Sequence, residues 1–205
     1  MEEKNWNDKD LLKVLIKKAP INFIYASEEI QNDREFIIEL VKVCGRIFQF
    51  LPDEMKKDRE IILEAVKNYP PILSYVADEF KNDKEIILES VKNNGFSLFY
   101  ASKELQNDEE IVLASVKNSG NSLQYASKEL RNNKKIILEA IKIDGTSLRY
   151  ASKKFRNNRR LIFFAFENIS DYGFEDSILF IYRHGECISI DGFPLDSFNC
   201  ILEKL

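Results

Sequence analysis

Residues 83–107 read DKEIILESVKNNGFSLFYASKELQN, and this stretch decides the fold. An N-cap at Asn82 or Asp83 starts the predicted helix, because short polar side chains bond the free N–H groups of a first turn. The helix presents one apolar stripe, formed by Ile86, Ile87, Ser90 and Val91. Gly95 is its predicted left-handed C-cap.

A second, shorter helix is predicted to begin at Ser97. Leu98, Ala101 and Leu105 then stand at positions i, i+3 and i+7, which lie on one helix face. Residues 83–107 therefore encode a helical hairpin. Neither helix is long enough to be stable alone in water, so the hairpin has to pack against a neighbour.

The same pattern returns every 25 residues. The N-cap position is held by Asp8, Asp33, Asp58, Asp83, Asp108, Asn133 and Asn158. An aromatic ring recurs at Tyr25, Phe50, Tyr75, Tyr100, Tyr125 and Tyr150. Six complete units run from residue 8 to 157, and a seventh begins at 158. Stacked hairpins bury their apolar faces in one core, so we predict a mainly α, right-handed α-solenoid of six to seven units.

The repeat pattern fails after about residue 168, and this divides the chain into two predicted domains. Residues 1–168 form the helical repeat domain. Residues 169–205 form a small α+β C-terminal cap, with strands at 177–182 and 187–190 and a final helix at 195–205. A solenoid needs such an atypical end to cover its last apolar face.

The sequence of the units resembles a known repeat. The consensus ND-x-E-I-[IV]-L, then AVK-x-x-G and S-L-x-Y-A-S-x-E-L, is similar to the tandem repeat of the domain-of-unknown-function family 4116. The best matches are 82–105, 107–130 and 132–155. No activity is attached to that family, so the resemblance implies the repeat fold and assigns no catalytic residue.

Composition narrows the range of functions. The 205 residues are 44% hydrophobic and 31% charged, with a net charge of -4, so no overall attraction to nucleic acid or anionic membrane is expected. A single His excludes metal sites that need two, and three scattered Cys suit a reducing compartment. No signal peptide or transmembrane run is evident, so we expect a soluble, cytoplasmic protein without a membrane partner.

The sixth unit carries a local excess of positive charge. Residues 133–157 contain seven basic and two acidic residues, for a charge of +5. The candidate binding residues of this basic patch at 131–160 are Lys134, Lys135, Arg149, Lys153, Lys154, Arg156, Arg159 and Arg160. Such a patch binds phosphates or an acidic protein surface. The alternative is a solvated surface neutralised by the acidic C-terminal segment.

Two columns of the repeat vary freely between units. One column is the residue before the repeated ring, and the other is the residue after the repeated Gly or Pro. Solenoids bind partners through surface positions of this kind, which the repeat does not fix. Phe96 and Phe99 are apolar where most other units are polar, so an exposed pair would suit a protein-binding hot spot. The alternative is local packing within that unit.

The repeated rings from Tyr25 to Tyr150 admit two interpretations. Regularly spaced aromatics can stack single-stranded bases. A ring present in every unit is more often part of the packing between units, which is the interpretation that we favour.

Nothing in the sequence indicates an enzyme. His184 and Cys187 form an H-x-x-C pair, but zinc needs further ligands and no nucleophile signature surrounds them. We therefore expect no catalytic residue, no metal site and no cofactor. The predicted function is a non-catalytic repeat module that acts as a protein-interaction scaffold or inhibitor.

The alternative function is a nucleic-acid-associated regulator, such as an inhibitor of a nucleoprotein enzyme, that uses the basic patch at 131–160. A homodimer through the uncovered N-terminal face is a further expectation, because the first unit begins close to Met1.

Overall fold

A computed structural model of the chain describes residues 5–166 and 168. These residues form a solenoid of α-helices alternating with shorter 3₁₀ helices, and no strand occurs among them. The α-helices are α1 (Lys9–Lys18), α2 (Glu28–Gln31), α3 (Arg34–Val43), α4 (Arg59–Asn68), α5 (Lys84–Asn93), α6 (Glu109–Asn118), α7 (Lys134–Ile143), α8 (Lys153–Arg156) and α9 (Arg159–Phe166). In this described part, every helix is too short or too polar to cross a bilayer. The C-terminal cap predicted at 169–205 lies outside the described residues.

Each long helix begins directly after an Asp or Asn of the 25-residue register. In α5 the cap is Asp83, whose carboxylate accepts hydrogen bonds from the N–H groups of Glu85 (3.0 Å) and Ile86 (3.2 Å). Those N–H groups have no partner within the helix, so the cap stabilises the first turn. The repeat register predicted from the sequence is the one that the structure has.

The second helix of each unit is a 3₁₀ helix. These helices span Pro20–Tyr25, Gly45–Phe50, Pro70–Ser74, Gly95–Tyr100, Gly120–Tyr125 and Gly145–Tyr150. They form a layer of their own, which packs against the layer of long α-helices.

Two details of the predicted hairpin were wrong. Gly95 is the first residue of its 3₁₀ helix, not a left-handed cap, because the extended backbone of Asn94 (φ -146°, ψ 104°) already turns the chain after α5. The second helix therefore starts before Ser97, which is buried inside it. It ends at Tyr100, although Leu105 beyond it is buried as predicted.

A short turn joins each 3₁₀ helix to the next long helix. The turns contain Glu28–Gln31, Met55–Lys57, Phe80–Asn82, Leu105–Asn107, Leu130–Asn132 and Lys153–Arg156. The last four turns are joined by backbone hydrogen bonds, as from the Ser102 N–H to the Lys81 carbonyl oxygen (2.9 Å). The turns and the N-termini of the long helices therefore line one edge of the solenoid, which we call the turn edge.

The core lies between the α layer and the 3₁₀ layer and runs without interruption from Leu12 to Ala165. Ile86, Ile87 and Val91 of the predicted stripe are fully buried in it. Each unit contributes a few such side chains and meets only its neighbours, as expected of a solenoid.

The contact between neighbouring units leaves no room for a side chain at the repeated Gly. A Cβ atom on Gly95 would lie 2.5 Å from the carbonyl oxygen of Ser115, and one on Gly45 would lie 2.7 Å from that of Ala65. Both separations are far below van der Waals contact. Glycine is therefore required here by the close approach of two backbones, not by an unusual backbone conformation.

A side-chain amide bridges the same contact. The Oδ1 atom of Asn118, the last residue of α6, accepts a hydrogen bond from the buried Gly95 N–H (2.7 Å). Its Nδ2 atom donates to the carbonyl oxygen of Lys92 (2.9 Å), so one amide satisfies two backbone groups of the preceding unit. Asn68 makes the corresponding bond to the Gly45 N–H (2.6 Å).

In units with proline in place of the repeated Gly, the hydrogen bond from the backbone N–H to the Asn side chain is missing. Asn93 stands opposite Pro70, which has no N–H, and its amide donates to the carbonyl oxygen of Lys67 (3.2 Å). Val43 stands opposite Pro20, which has no N–H that could donate a hydrogen bond to a side-chain amide. The early prolines therefore change the contact without breaking the stack.

The Asn bridge predicts unequal effects for two matched substitutions. Asn118→Ala leaves the buried Gly95 N–H unsatisfied and should lower the free energy of unfolding by about 1–3 kcal/mol. Asn93→Ala is the control at the same repeat position. It should destabilise less, because Pro70 has no N–H that could be left unsatisfied. Urea unfolding of the two variants measures the difference, and equal losses would contradict the bridge.

Candidate binding surfaces

The two variable columns form one surface in the structure. A 3₁₀ helix has three residues per turn, so positions three apart lie above one another on the same face. This face, the variable strip, consists of Ile21, Ile24, Arg46, Gln49, Pro71, Ser74, Phe96, Phe99, Asn121, Gln124, Thr146 and Arg149. All except Thr146 are exposed or half-buried.

An aromatic cluster stands near the middle of the variable strip. Phe96 and Phe99 are 43% and 59% exposed. Their rings meet Tyr125 of the next unit edge to face, with centroids 6.2 and 5.4 Å apart, and Phe99 also contacts Tyr100 (5.2 Å). Phe96 and Phe99 are therefore part of a larger exposed patch. We call these four residues the aromatic cluster.

The sequence interpretation missed the two tyrosines of this cluster. From the sequence alone, Tyr100 and Tyr125 are members of the repeated ring column and nothing more. The ring contact crosses a unit boundary, since Phe99 and Tyr125 are 26 residues apart. That is the separation of Arg59 and Glu85, which also meet across a unit boundary.

The column of repeated rings is divided between packing and exposure. Phe50, Tyr100, Tyr125 and Tyr150 are half-buried and pack against the core. Tyr25 and Tyr75 are 56% and 51% exposed. The rings thus do not form a uniform stacking platform, and most of them serve the packing of their own units.

Ion pairs link the turn edge from unit to unit. In α3, α4 and α5 the first helical residue reaches both the N-cap and the second helical residue of the next unit, and in α1 Lys9 reaches the N-cap Asp33. Arg59 contacts Asp83 and Glu85, both at 2.6 Å, and Lys84 contacts Asp108 (2.8 Å) and Glu110 (2.9 Å). The Arg59 guanidinium lowers the pKa of Asp83, and the bonds to Asp108 and Glu110 raise the pKa of Lys84 to about 12.

We call this series of ion pairs between units the ion-pair ladder. In the basic region the acidic and basic partners first exchange places, and one unit later the pairing ends among the described residues. Glu109 takes the basic position and pairs with Lys135 (2.8 Å). One unit later Lys134 faces the positions of Asn158 and Arg160, where earlier units have two carboxylates. Basic residues now start α7 and α9, where the helix dipole favours negative charge. Within residues 5–166, Lys134 therefore has no carboxylate at the positions that pair with the basic residue in earlier units.

The structure separates the eight predicted basic residues. Lys135 is paired with Glu109, and Arg149 lies on the variable strip above the ring of Tyr150. Arg159 is exposed at the start of α9. The other five share the turn edge and form no ion pair with any residue that the structure describes. This basic cluster consists of Lys134, Lys153, Lys154, Arg156 and Arg160.

Metal chemistry finds no support in the described residues, which contain no group of three potential ligands. His184, Cys187 and Cys200 lie outside the described residues. The interpretation of His184 and Cys187 as structural residues therefore stays a prediction.

The fold and its repeated contacts define a class, the helical repeat proteins that stack short units into a solenoid. The family described as "Domain of unknown function (DUF4116)" matches residues 8–56, 58–106, 108–156 and 133–172. The chain belongs to this family, as the resemblance of its units suggested. No curated protein and no solved structure matches the chain.

The ion-pair ladder predicts an acid-dependent loss of stability. The pKa of Asp83 is lower in the folded chain than its ordinary value, so its contribution is present above about pH 4 and is lost as the pH falls through the folded pKa. Asp83→Asn should cost about 1 kcal/mol at neutral pH, while Asn still caps the helix.

The difference between wild type and Asp83→Asn should shrink as the pH falls from about 5 towards 2. Urea unfolding across this range measures it, with the exposed Glu79→Gln as control. A difference that does not change with pH would contradict the ion-pair origin of the effect.

Proposed function

We propose that the chain is a non-catalytic binding module of the cytoplasm that docks on a protein partner through its variable strip. The observation that supports this most is the exposed pair Phe96 and Phe99, held side by side on one rigid 3₁₀ helix. Exposed large aromatics that stand on a fixed scaffold are typical of protein-binding hot spots.

The surroundings of the pair favour a protein over other partners. The middle of the variable strip has no ionised side chain, since its positions are Pro71, Ser74, Phe96, Phe99, Asn121 and Gln124. Arg46 and Arg149 stand on either side of this uncharged stretch. An apolar centre with a polar rim is the usual anatomy of a protein interface, and Arg is enriched there. The partner surface is accordingly apolar at its centre.

Rigidity gives such a surface an advantage. The 3₁₀ helices pack on the α layer and on each other, so little conformational freedom remains to be lost on binding. A scaffold or an inhibitor that covers a partner's apolar site would act in this way.

A second candidate function is a nucleic-acid-associated regulator, supported by the basic cluster. Lys134, Lys153, Lys154 and Arg160 are exposed and form no ion pair among the described residues. Groups of this kind neutralise phosphates and release counterions, so binding would weaken steeply with salt.

The test is affinity purification from native extract with two variants. Phe96→Ala/Phe99→Ala should weaken capture of a protein partner by about 30-fold, because hot-spot residues contribute about 2 kcal/mol or more. Val14→Ala/Ile143→Ala is the matched control, since both residues are exposed and apolar but lie outside the variable strip. This control should capture the partner as the wild type does.

Charge reversal of the basic cluster to Glu separates the two candidate functions. A partner lost only from the Phe variant, with or without nuclease, supports the protein-binding function. A partner lost only on charge reversal and released by nuclease supports the nucleic-acid function. Capture that neither variant changes would contradict both.

A further inference from the structure

One column of the turn edge changes sign at its centre. It consists of Glu28, Asp53, Asp78, Lys103, Lys128 and Lys153, which occupy the same place in the six successive turns. The first three are acidic and the last three are lysines. All six side chains are exposed, with Asp53 and Asp78 91% and 95% accessible. We call this set the split column.

Backbone hydrogen bonds between turns align the lysine half of the split column. Lys103, Lys128 and Lys153 each follow a serine whose N–H bonds the preceding turn, and the three N–H to oxygen distances are 2.8–2.9 Å. Because neighbouring helices of a stack lie about 8–10 Å apart, the six side chains form a regular row along the edge. The order of these charges in the sequence is therefore also their order along the edge of the solenoid.

The neighbouring column does not share this pattern. It has Glu in five units and Lys154 in the sixth. Two of these glutamates, Glu104 and Glu129, accept hydrogen bonds from Asn82 (3.3 Å) and Asn107 (3.4 Å) of the preceding turn. This column is exposed too, with the Glu54 side chain 82% accessible, but it keeps one sign over five units and changes only at Lys154.

Local pairs do not remove the pattern. Asp53 and Asp78 lie 3.7 and 2.8 Å from Lys56 and Lys81 of their own turns. These pairs are exposed, and exposed pairs contribute little and exchange readily. The acidic carboxylates remain accessible to another cation.

The partner that fits the split column best is a second copy of the chain. A two-fold axis between positions 78 and 103 sets Glu28 opposite the partner's Lys153, Asp53 opposite the partner's Lys128 and Asp78 opposite the partner's Lys103. Symmetry doubles these three pairs to six. A parallel alignment would place like charges together, and a uniformly anionic polymer would be repelled by half of the row.

We propose that two copies of this chain associate antiparallel along the turn edge through the split column. Charge complementarity sets the orientation and the encounter rate more than the affinity, so the dimer is weak and sensitive to salt. This inference is independent of the protein-binding function, which uses the variable strip and shares no residue with the split column.

Sedimentation equilibrium at high protein concentration tests the dimer. The wild type should dimerise reversibly at about 0.02 M salt and at least 10-fold more weakly at about 0.5 M salt. Phe96→Ala/Phe99→Ala should dimerise as the wild type does, which separates this test from that of the proposed function. A wild type that is monomeric at low salt would overturn the proposal.

Charge exchange makes the test specific. Lys103→Asp/Lys128→Asp/Lys153→Asp and Glu28→Lys/Asp53→Lys/Asp78→Lys should each be monomeric alone, and an equal mixture should form a heterodimer. Recovery in the mixture shows that neither variant has simply failed to fold. A variant with all six exchanges keeps the net charge of -4 and should dimerise again. Dimers that persist in both triple variants would overturn the proposal and direct attention to the N-terminal face.

Discussion

Contact between the backbones of successive units is the constraint on which the rest of the structure depends. The long helices have ten residues or fewer and would not persist alone in water. Each is stable because its apolar stripe is buried by neighbouring units, and Gly45, Gly95 and Gly120 let their 3₁₀ helices approach the next long helix closely. The amide of Asn118 then satisfies backbone groups that this approach removes from water. Stability is thus a property of neighbouring pairs of units.

The same constraint determines where variation is permitted. Positions that face the next unit repeat closely, whereas the variable strip and the turn edge face solvent and change from unit to unit. The two surfaces differ in chemistry. The strip has an uncharged aromatic centre near Phe99, and the turn edge passes from acidic side chains around Glu28 to basic ones around Lys153. A chain built from one repeated unit can therefore hold two independent interaction surfaces.

Much of this could be predicted from the sequence, because period and apolar spacing are directly legible. The register and the buried stripe of Ile86, Ile87 and Val91 follow from it, whereas the sequence left open whether Phe96 and Phe99 are exposed or packed within their unit. The 3₁₀ geometry could not be predicted, since it depends on the extended Asn94 and on how near two units come. The same limit hid Tyr125, because a residue that completes a cluster across a unit boundary is recognised only when the boundary contacts are known.

Native-state hydrogen exchange at the Gly45 and Gly95 amides tests the central claim most directly. Both N–H groups are buried and bonded to the side chain of an Asn in the next unit. If unit-to-unit contact is what holds the fold, these two amides exchange only through global or near-global unfolding, as slowly as the interior amides of α4 and α6. Exchange of both at the rate of an exposed amide, with those helices still protected, would contradict the account.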